Sequence, residues 1–567
     1  MTERVSVPVR PSSNRWFIAA GVALILFKLW LVAGQSILAV GYANFDDALF
    51  IKLARNILGG RWLGDYNELT LAKGPMYSLF ISGVFLLGIP LFTAQHLLYI
   101  AACSLASSAM RPLVANRWVL FALFVVLLFN PVTYDASTHA RVLRQDILHA
   151  LVLMILAALI ALYARRKMPK KKLLPWIVVL GITLPAFWMT REEGVWLMPC
   201  VGMLWIFTGW RIWQEKPSDR LSRLALMVLP ALMWIAGLSI VSGLNKYYYG
   251  VYTTCEFRLA EFKDAYGALL RVKPKEWHPY IPVRREVRER LYAVSPSFAE
   301  LRPFLDGPSG EAWAGTSEFV THLPREEREL AGGWFMWALR GAVVAAGHGK
   351  SGEDAMHFYQ KVAQEINTAC DNGLLEAGSR RSGFLPPLRK EYWAPFSISA
   401  RKAGWFLISF EQIVAKAGPS AGSPEDLAHF SELTRGRLSP TQEGPPIPKK
   451  QLWLDTMRLN LLQDIINIYR DLSPWTGIAA MLAVIGVAFL AAIRRHLHFW
   501  LVVSIALLGV NVGLVVIVAL LDITAGPAIN SGYFTGGYGL WLLFMFTSGF
   551  AVHESLALNS KPLPIKK

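Results

Sequence analysis

Phe45-Asp46-Asp47-Ala48-Leu49-Phe50-Ile51-Lys52-Leu53-Ala54-Arg55 follows closely on an apolar run at residues 17–40. A run of that length crosses the ~30 Å hydrocarbon layer at ~1.5 Å per helical residue, so the acidic pair stands where a first transmembrane helix emerges. The run exceeds signal-peptide length and no small-residue cleavage site follows, so residues 17–40 read as a retained anchor. Residues 46–58 read as a short amphipathic helix lying in the membrane interface. Leu49, Phe50, Leu53, Ala54, Ile57 and Leu58 share one face, and Lys52, Arg55 and Asn56 the other. Asn44 is the expected N-cap, which places Asp46 and Asp47 in the first turn, where carboxylates suit the helix dipole. That position alone would account for both aspartates.

Outward from this stretch, the chain is built for lipid. Of its 567 residues 54% are hydrophobic and 17% charged, and apolar runs of about twenty residues recur at both ends, whereas residues 250–472 lack them. The net charge of +17 comes from basic residues gathered in short segments between apolar runs, a topology signal and not a nucleic-acid-binding stripe. The N-terminal Arg4, Arg10 and Arg15 are taken as cytoplasmic, and 95–113 as the one span within 77–113. The clusters at Arg111 and Arg117, Arg165 to Lys172, Arg211 to Arg223, Arg494 and Arg495, and Lys561 to Lys567 then share one side. About ten spans follow, near 17–40, 95–113, 117–134, 146–164, 173–190, 195–212, 223–244, 474–493, 498–521 and 534–553. Residues 77–92 become a partly embedded or re-entrant piece, which requires protein or a water-filled cavity beside it.

The expected fold is an all-α polytopic membrane protein. A transmembrane module at 1–245 carries an outer loop at 41–92, a large, mainly helical extracytoplasmic domain occupies 246–472, and the last helices lie in 473–567. Within the domain, 295–305 and 354–372 read as helices, and 417–450, rich in Pro, Gly and Ser, as an irregular linker. Cys255 and Cys370 would both face an oxidising compartment, where they could form a disulfide.

Four outer segments carry chemistry. Lys73 in Leu71-Ala72-Lys73-Gly74-Pro75 suits an oxyanion such as phosphate, since backbone can approach at Gly and the ammonium supplies charge; the alternative is a lysine snorkelling to the surface. Arg141 and Asp146, at the mouth of an apolar helix, are either functional or a structural ion pair. Arg191, Glu192 and Glu193 put three consecutive charges between two spans, more than a turn requires, which favours binding. In Ser531-Gly532-Tyr533-Phe534-Thr535-Gly536-Gly537-Tyr538, glycines and tyrosines such as Tyr533 could line a ligand surface, or serve as interfacial aromatics.

In their order and common sidedness these features resemble the GT-C superfamily of membrane glycosyltransferases, in particular the lipid A aminoarabinose transferases and protein O-mannosyltransferases. Asp46-Asp47 before an amphipathic helix is similar to that family's acidic pair, with Asp47 in the slot usually held by Glu. Lys73-Gly74-Pro75 is similar to its Lys-Pro element with a Gly inserted, Asp146 to its Asp at the fourth span, and Thr190-Arg191-Glu192-Glu193-Gly194 to its Thr-Lys/Arg-x-x-Gly turn. A late Arg-Tyr-Leu-x-Pro-x-Tyr stretch is matched only in part by residues 531–538, which lack the Arg and Pro. The likeness covers residues 15–245 well, the last spans weakly and the large outer segment not at all.

The resemblance implies an inverting transfer of a sugar from a polyprenyl-phosphate donor to an extracytoplasmic acceptor: a cell-envelope glycan, lipid A or lipopolysaccharide, another lipid, or a protein. It implies catalytic Asp46 supported by Asp47, and substrate binding by Lys73, Arg141, Asp146, Arg191, Glu192, Glu193 and Tyr533. It also implies a bacterial inner-membrane location with cytoplasmic termini and a periplasmic domain, and no cofactor, although the carboxylates leave a divalent metal open. The alternatives are a ligase or polymerase of whole glycans, against which the acidic pair argues, and a transporter, against which the lack of an internal repeat argues.

Overall fold

The computed structural model describes residues 14–442 and 448–559. Arg4 and Arg10, and the lysines at 561, 566 and 567, lie outside them. The described chain is helical, its extended backbone limited to three isolated bridges. It is an integral membrane protein: among the described residues nine helices are long and apolar enough to cross a membrane, or ten counting one bent pair.

The first half contains α1 (Asn14–Val32), α2 (Asp47–Leu58), α3 (Met76–Leu86), α4 (Leu91–Met110), α5 (Arg117–Leu128), α6 (Gln145–Ala164), α7 (Leu174–Thr190), α8 (Met198–Glu215) and α9 (Arg220–Tyr249). Helix α6 is apolar on all sides and sits at the centre, buried along nearly its whole length against α4, α7, α8 and the last helix. Helices α7 and α9 cross closely because small residues face bulky ones. A Cβ on Gly181 would meet Met233 Sδ at 2.4 Å, and one on Gly237 would meet Pro185 at 2.9 Å.

The second half contains α10 (Ala260–Arg271), α11 (Arg285–Val294), α12 (Pro296–Ala299), α13 (Arg302–Leu305), α14 (Pro308–Thr321), α15 (Gly332–Ala345), α16 (Gly352–Asp371), α17 (Trp393–Ser409), α18 (Pro424–Thr434), α19 (Lys449–Arg494), α20 (Phe499–Thr524) and α21 (Ser531–Asn559). Helices α10 to α16 enclose a second core around Phe262, Leu291, Phe298, Phe335 and Ile366. Residues of α17 and α18, such as Phe406, Leu407 and Phe430, belong instead to the core of the membrane bundle. Helix α19 has 46 residues, about 69 Å at the helical rise, so it reaches well past a ~30 Å layer. Residue 473 therefore lies inside one continuous helix.

Several local expectations give way. Helix α1 ends at Val32, and after a turn at 33–34 the chain to residue 40 leaves the helix, with Ile37 and Ala39 exchanging backbone hydrogen bonds with 421, 437 and 439. Residues 417–450 are no simple linker, for they contain α18, which opens on a capping box made by Ser423 and Asp426. The four cysteines are free, so Cys255 and Cys370 form no disulfide. Cys255 instead donates to the Ala72 carbonyl at 3.2 Å.

Helix α2 departs most from a surface helix. Its Phe50, Ile51 and Ala54 join the membrane core, while Leu49 and Leu53 join the second core. Lys52 and Arg55 remain exposed. The helix is thus a wedge between two cores and not a float in the lipid interface. Helix α3 packs against α2, folds back on α4 with a bend of 109°, and turns through Gly88, whose φ of +72° favours glycine. Its Ser78 and Ser82 hydroxyls donate to the α2 carbonyls of Phe50 and Ala54. The short piece expected at 77–92 is a helix held by protein.

Candidate active site

The acidic pair divides at the first residue of α2. Asp46 occupies the N-cap position but its side chain caps nothing, and Asn44 does not cap either. The Asp46 carboxylate accepts from the Lys73 ammonium, which also donates to the Phe45 carbonyl. Lys73 is buried at 6% side-chain exposure beneath a carboxylate that is 51% exposed, with the Phe50 and Trp337 rings 5.2 and 5.8 Å from its nitrogen. It is therefore not a snorkelling lysine. Burial pulls the Asp46 carboxyl upward, but Lys73, with Arg144 and Arg141 behind it, more than offsets that, and the pKa falls below the ordinary value. Burial lowers the Lys73 pKa against the opposing pull of Asp46.

Asp47 faces inward and is fully buried. Arg141 donates to both of its oxygens, from Nε at 3.1 Å and from a terminal nitrogen, and the Val142 amide adds a bond at 3.2 Å. Burial raises the Asp47 pKa in spite of these donors. The ion pair considered between Arg141 and Asp146 is not formed. Asp146 lies one layer deeper, at 1% exposure, accepting from the Tyr77 hydroxyl at 2.9 Å and the Gln95 amide at 2.8 Å, with His139 Nδ1 at 3.4 Å. It does not reach the exposed face of the cluster.

The turn between α7 and α8 closes the other side. Arg191 is paired with Glu193 at 3.2 Å, donates to the Gly532 carbonyl at 3.0 Å and stacks over Tyr533 at 5.2 Å. Glu193 is 45% exposed; burial pushes its pKa up, but Arg191 and Arg144 bring it down to about 2. Glu192 turns inward to Arg144 and accepts from the Gly74 amide at 2.9 Å. Gly74 has to be glycine, because a Cβ there would lie 2.0 Å from the Met189 carbonyl oxygen. The structure thus brings Asp46, Asp47, Lys73, Arg141, Arg191, Glu192, Glu193 and Tyr533 together, and leaves Asp146 as buried support.

Sequence reading missed three arginines. Arg144 shares a loop with Arg141 at a spacing of three, which could have flagged it. Arg258 donates to the carbonyls of Trp188, Arg191 and Glu192 at 3.0–3.1 Å, fixing the end of α7. Arg340 on α15 pairs with Glu256 and donates to the carbonyls of Glu68 at 2.7 Å and Thr70 at 2.8 Å, so the second core holds the loop that carries Lys73. Neither has a local signal.

Four cations thus face four carboxylates in four pairs. Two pairs are closed, Arg141 with Asp47 and Arg144 with Glu192. In the other two the cation is buried and the carboxylate half exposed, so an arriving anion can displace Asp46 or Glu193 and take over a preorganised cation. No group of three His, Cys, Asp or Glu residues among the described residues has metal-ligand geometry.

No family model and no curated protein sequence matches the chain. It is similar to two crystal structures of ArnT from Cupriavidus metallidurans. For the apo state, identity is 15%, 91% of this chain and 78% of that chain are covered, and the TM-score is 0.33. For the form bound to undecaprenyl phosphate the figures are 13%, 96%, 78% and 0.30. Overlap at this level carries no argument about the reaction.

Proposed function

We propose that the protein is an inverting glycosyltransferase that moves a sugar from a polyprenyl-phosphate donor to an acceptor on the extracytoplasmic face, a cell-envelope glycan, lipopolysaccharide or protein. The observation that carries this reading is the Asp46–Lys73 pair, an ionised carboxylate open to solvent above a buried ammonium. The sidedness rests on the basic segments gathered at the opposite ends of the helices.

The pair explains how one small site can serve two substrates. A donor phosphate entering beside Lys73 competes with Asp46 for the ammonium. Once Lys73 turns to the phosphate, Asp46 is released with fewer cations on it, and its basicity rises toward the carboxylate range. The acceptor hydroxyl or amine then attacks the anomeric carbon, the bond from that carbon to the phosphate oxygen breaks, and polyprenyl phosphate leaves. Asp46 orients the nucleophile and takes its proton. Bond breaking runs ahead of bond making in an oxocarbenium-like state, so a weak base suffices. The phosphate is a good leaving group, and Lys73 and Arg191 stabilise its growing charge in place of a general acid.

The test is to incubate detergent-purified protein with a panel of polyprenyl-phosphate sugars and an acceptor extract, and to measure released polyprenyl phosphate. Acceptor-dependent release is expected. Folded protein that releases none from any donor contradicts the reading and favours a transporter.

A further inference from the structure

At the end of the bundle away from the charge cluster lies a cavity of about 1230 Å³ between α5, α6, α8, α19, α20 and α21. Along α6, Asp146 of the outer cluster and Tyr163 of the cavity wall are about 26 Å apart at the helical rise, so the two sites are separate. The deep wall is apolar, with Val126, Ile468, Leu472, Leu542 and Phe546. On α21 the wall runs from Leu542 to Ala557, about 22 Å, somewhat more than one leaflet of a ~30 Å hydrocarbon layer.

The mouth is polar. Arg166 there is held by Glu215 at 2.8 Å, and Glu554 lies 3.1 Å from His498, although its Oε2 accepts no hydrogen bond. Arg211 differs. Its guanidinium lies over the Phe207 and Trp210 rings at 6.0 and 5.8 Å, near Tyr163, and it has no carboxylate partner among the described residues. Its Nε is buried and makes no hydrogen bond. The Tyr163 hydroxyl meets the guanidinium but not this nitrogen, so one charged donor at the rim of an apolar shaft is left without an acceptor.

We propose that this cavity is a binding site for one anionic glycerophospholipid of the cytoplasmic leaflet, an acyl chain filling the shaft and the phosphate meeting Arg211. The choice of leaflet rests on the same sidedness as the proposed function; the binding itself does not depend on that function. A lipid fits because the shaft is as long as an acyl chain, lies among the membrane-spanning helices and ends at a cation.

The wall contains a place to block it. Gly549 lines the cavity, and a Cβ there would meet no atom within 4 Å, so the side chain of Gly549→Leu has room to project into the shaft and narrow it. The experiment is native mass spectrometry of the full chain exchanged into micelles with phosphatidylglycerol or phosphatidylcholine. The expected result is one phosphatidylglycerol retained, preferred over phosphatidylcholine by roughly fivefold, the scale of one cation near a phosphate. Arg211→Ala should abolish the preference and Gly549→Leu should abolish retention, with melting temperatures unchanged. Equal retention of both lipids by wild type and Arg211→Ala overturns the proposal in favour of annular lipid. Displacement of the bound lipid by an equimolar polyprenyl phosphate overturns it in favour of a donor-tail groove. If Gly549→Leu melts early, Arg211→Ala decides. No sugar transfer is measured, so failure here leaves the transferase reading standing, and the reverse.

Discussion

Two charge clusters flank the loop that carries Lys73, and they are built on opposite terms. Beside the second core Glu256 and Arg340 are closed off, at 0% and 2% side-chain exposure, and Tyr66, Glu68 and Thr70 complete their hydrogen bonding. At the head of α2 the cation Lys73 is buried while Asp46 stays half exposed, and Arg191 with Glu193 repeats the pattern. The first cluster spends its charge on protein and acts as a strut. The second keeps two carboxylates where a ligand can replace them. What separates a site from a scaffold here is the exposure of one partner, since both clusters are well paired.

The largest effect that would sharpen this contrast is on the strut. Arg340→Met leaves Glu256 buried without its cation and should cost about 3–5 kcal/mol, read as a fall in the thermal midpoint of detergent-solubilised protein. A midpoint within a degree of wild type would show that the strut does not hold the loop. Next comes Gly74→Ala, whose methyl group meets the Met189 carbonyl and should cost about 1–3 kcal/mol by pushing the Lys73 turn off α7. An unchanged midpoint would show that the turn has room to move.

A smaller effect tests the open pair by pH. Asp46 has a lowered pKa, so its stabilising contribution is present above the unfolded carboxylate value of ~3.9 and is lost as the pH falls through the folded value. The acid limb of kcat/KM should accordingly lie below the ordinary carboxylate range in wild type. In the residual activity of Lys73→Met it should move upward, because burial remains while the lowering cation is gone. A limb that stays in place would mean that Lys73 does not control Asp46. The smallest effect is on the thiols. A reductant should leave the melting temperature unaltered, whereas a drop of several degrees would reveal a Cys255–Cys370 bridge.

The spans were legible because an apolar run of twenty residues is a local property, and the separate piece at 77–92 was legible from the sidedness of the basic clusters. Helix α2 was legible as a helix and misread as a surface one. Periodicity shows that Leu49 and Phe50 share a face, but not that two different cores divide it. Helix α19 was cut short because the composition of its polar first half, residues 449–472, resembles that of a soluble domain. In the site, residue types and sidedness were visible while the pairing was not. Asp46 meets Lys73 across 27 residues, Asp47 meets Arg141 across 94, and Arg340 reaches Glu68 across 272. Contacts over such separations leave no periodic trace. The expected partner of Arg141 was simply its sequence neighbour Asp146.

The central claim is that the exposed member of the acidic pair does the chemistry and the buried member holds the site. It is tested most directly by measuring release of polyprenyl phosphate from a polyprenyl-phosphate sugar by wild type and Asp46→Asn, with both melting temperatures recorded. The account predicts a fall in rate of about a hundredfold or more with the protein still folded. Equal rates in the two proteins would contradict it.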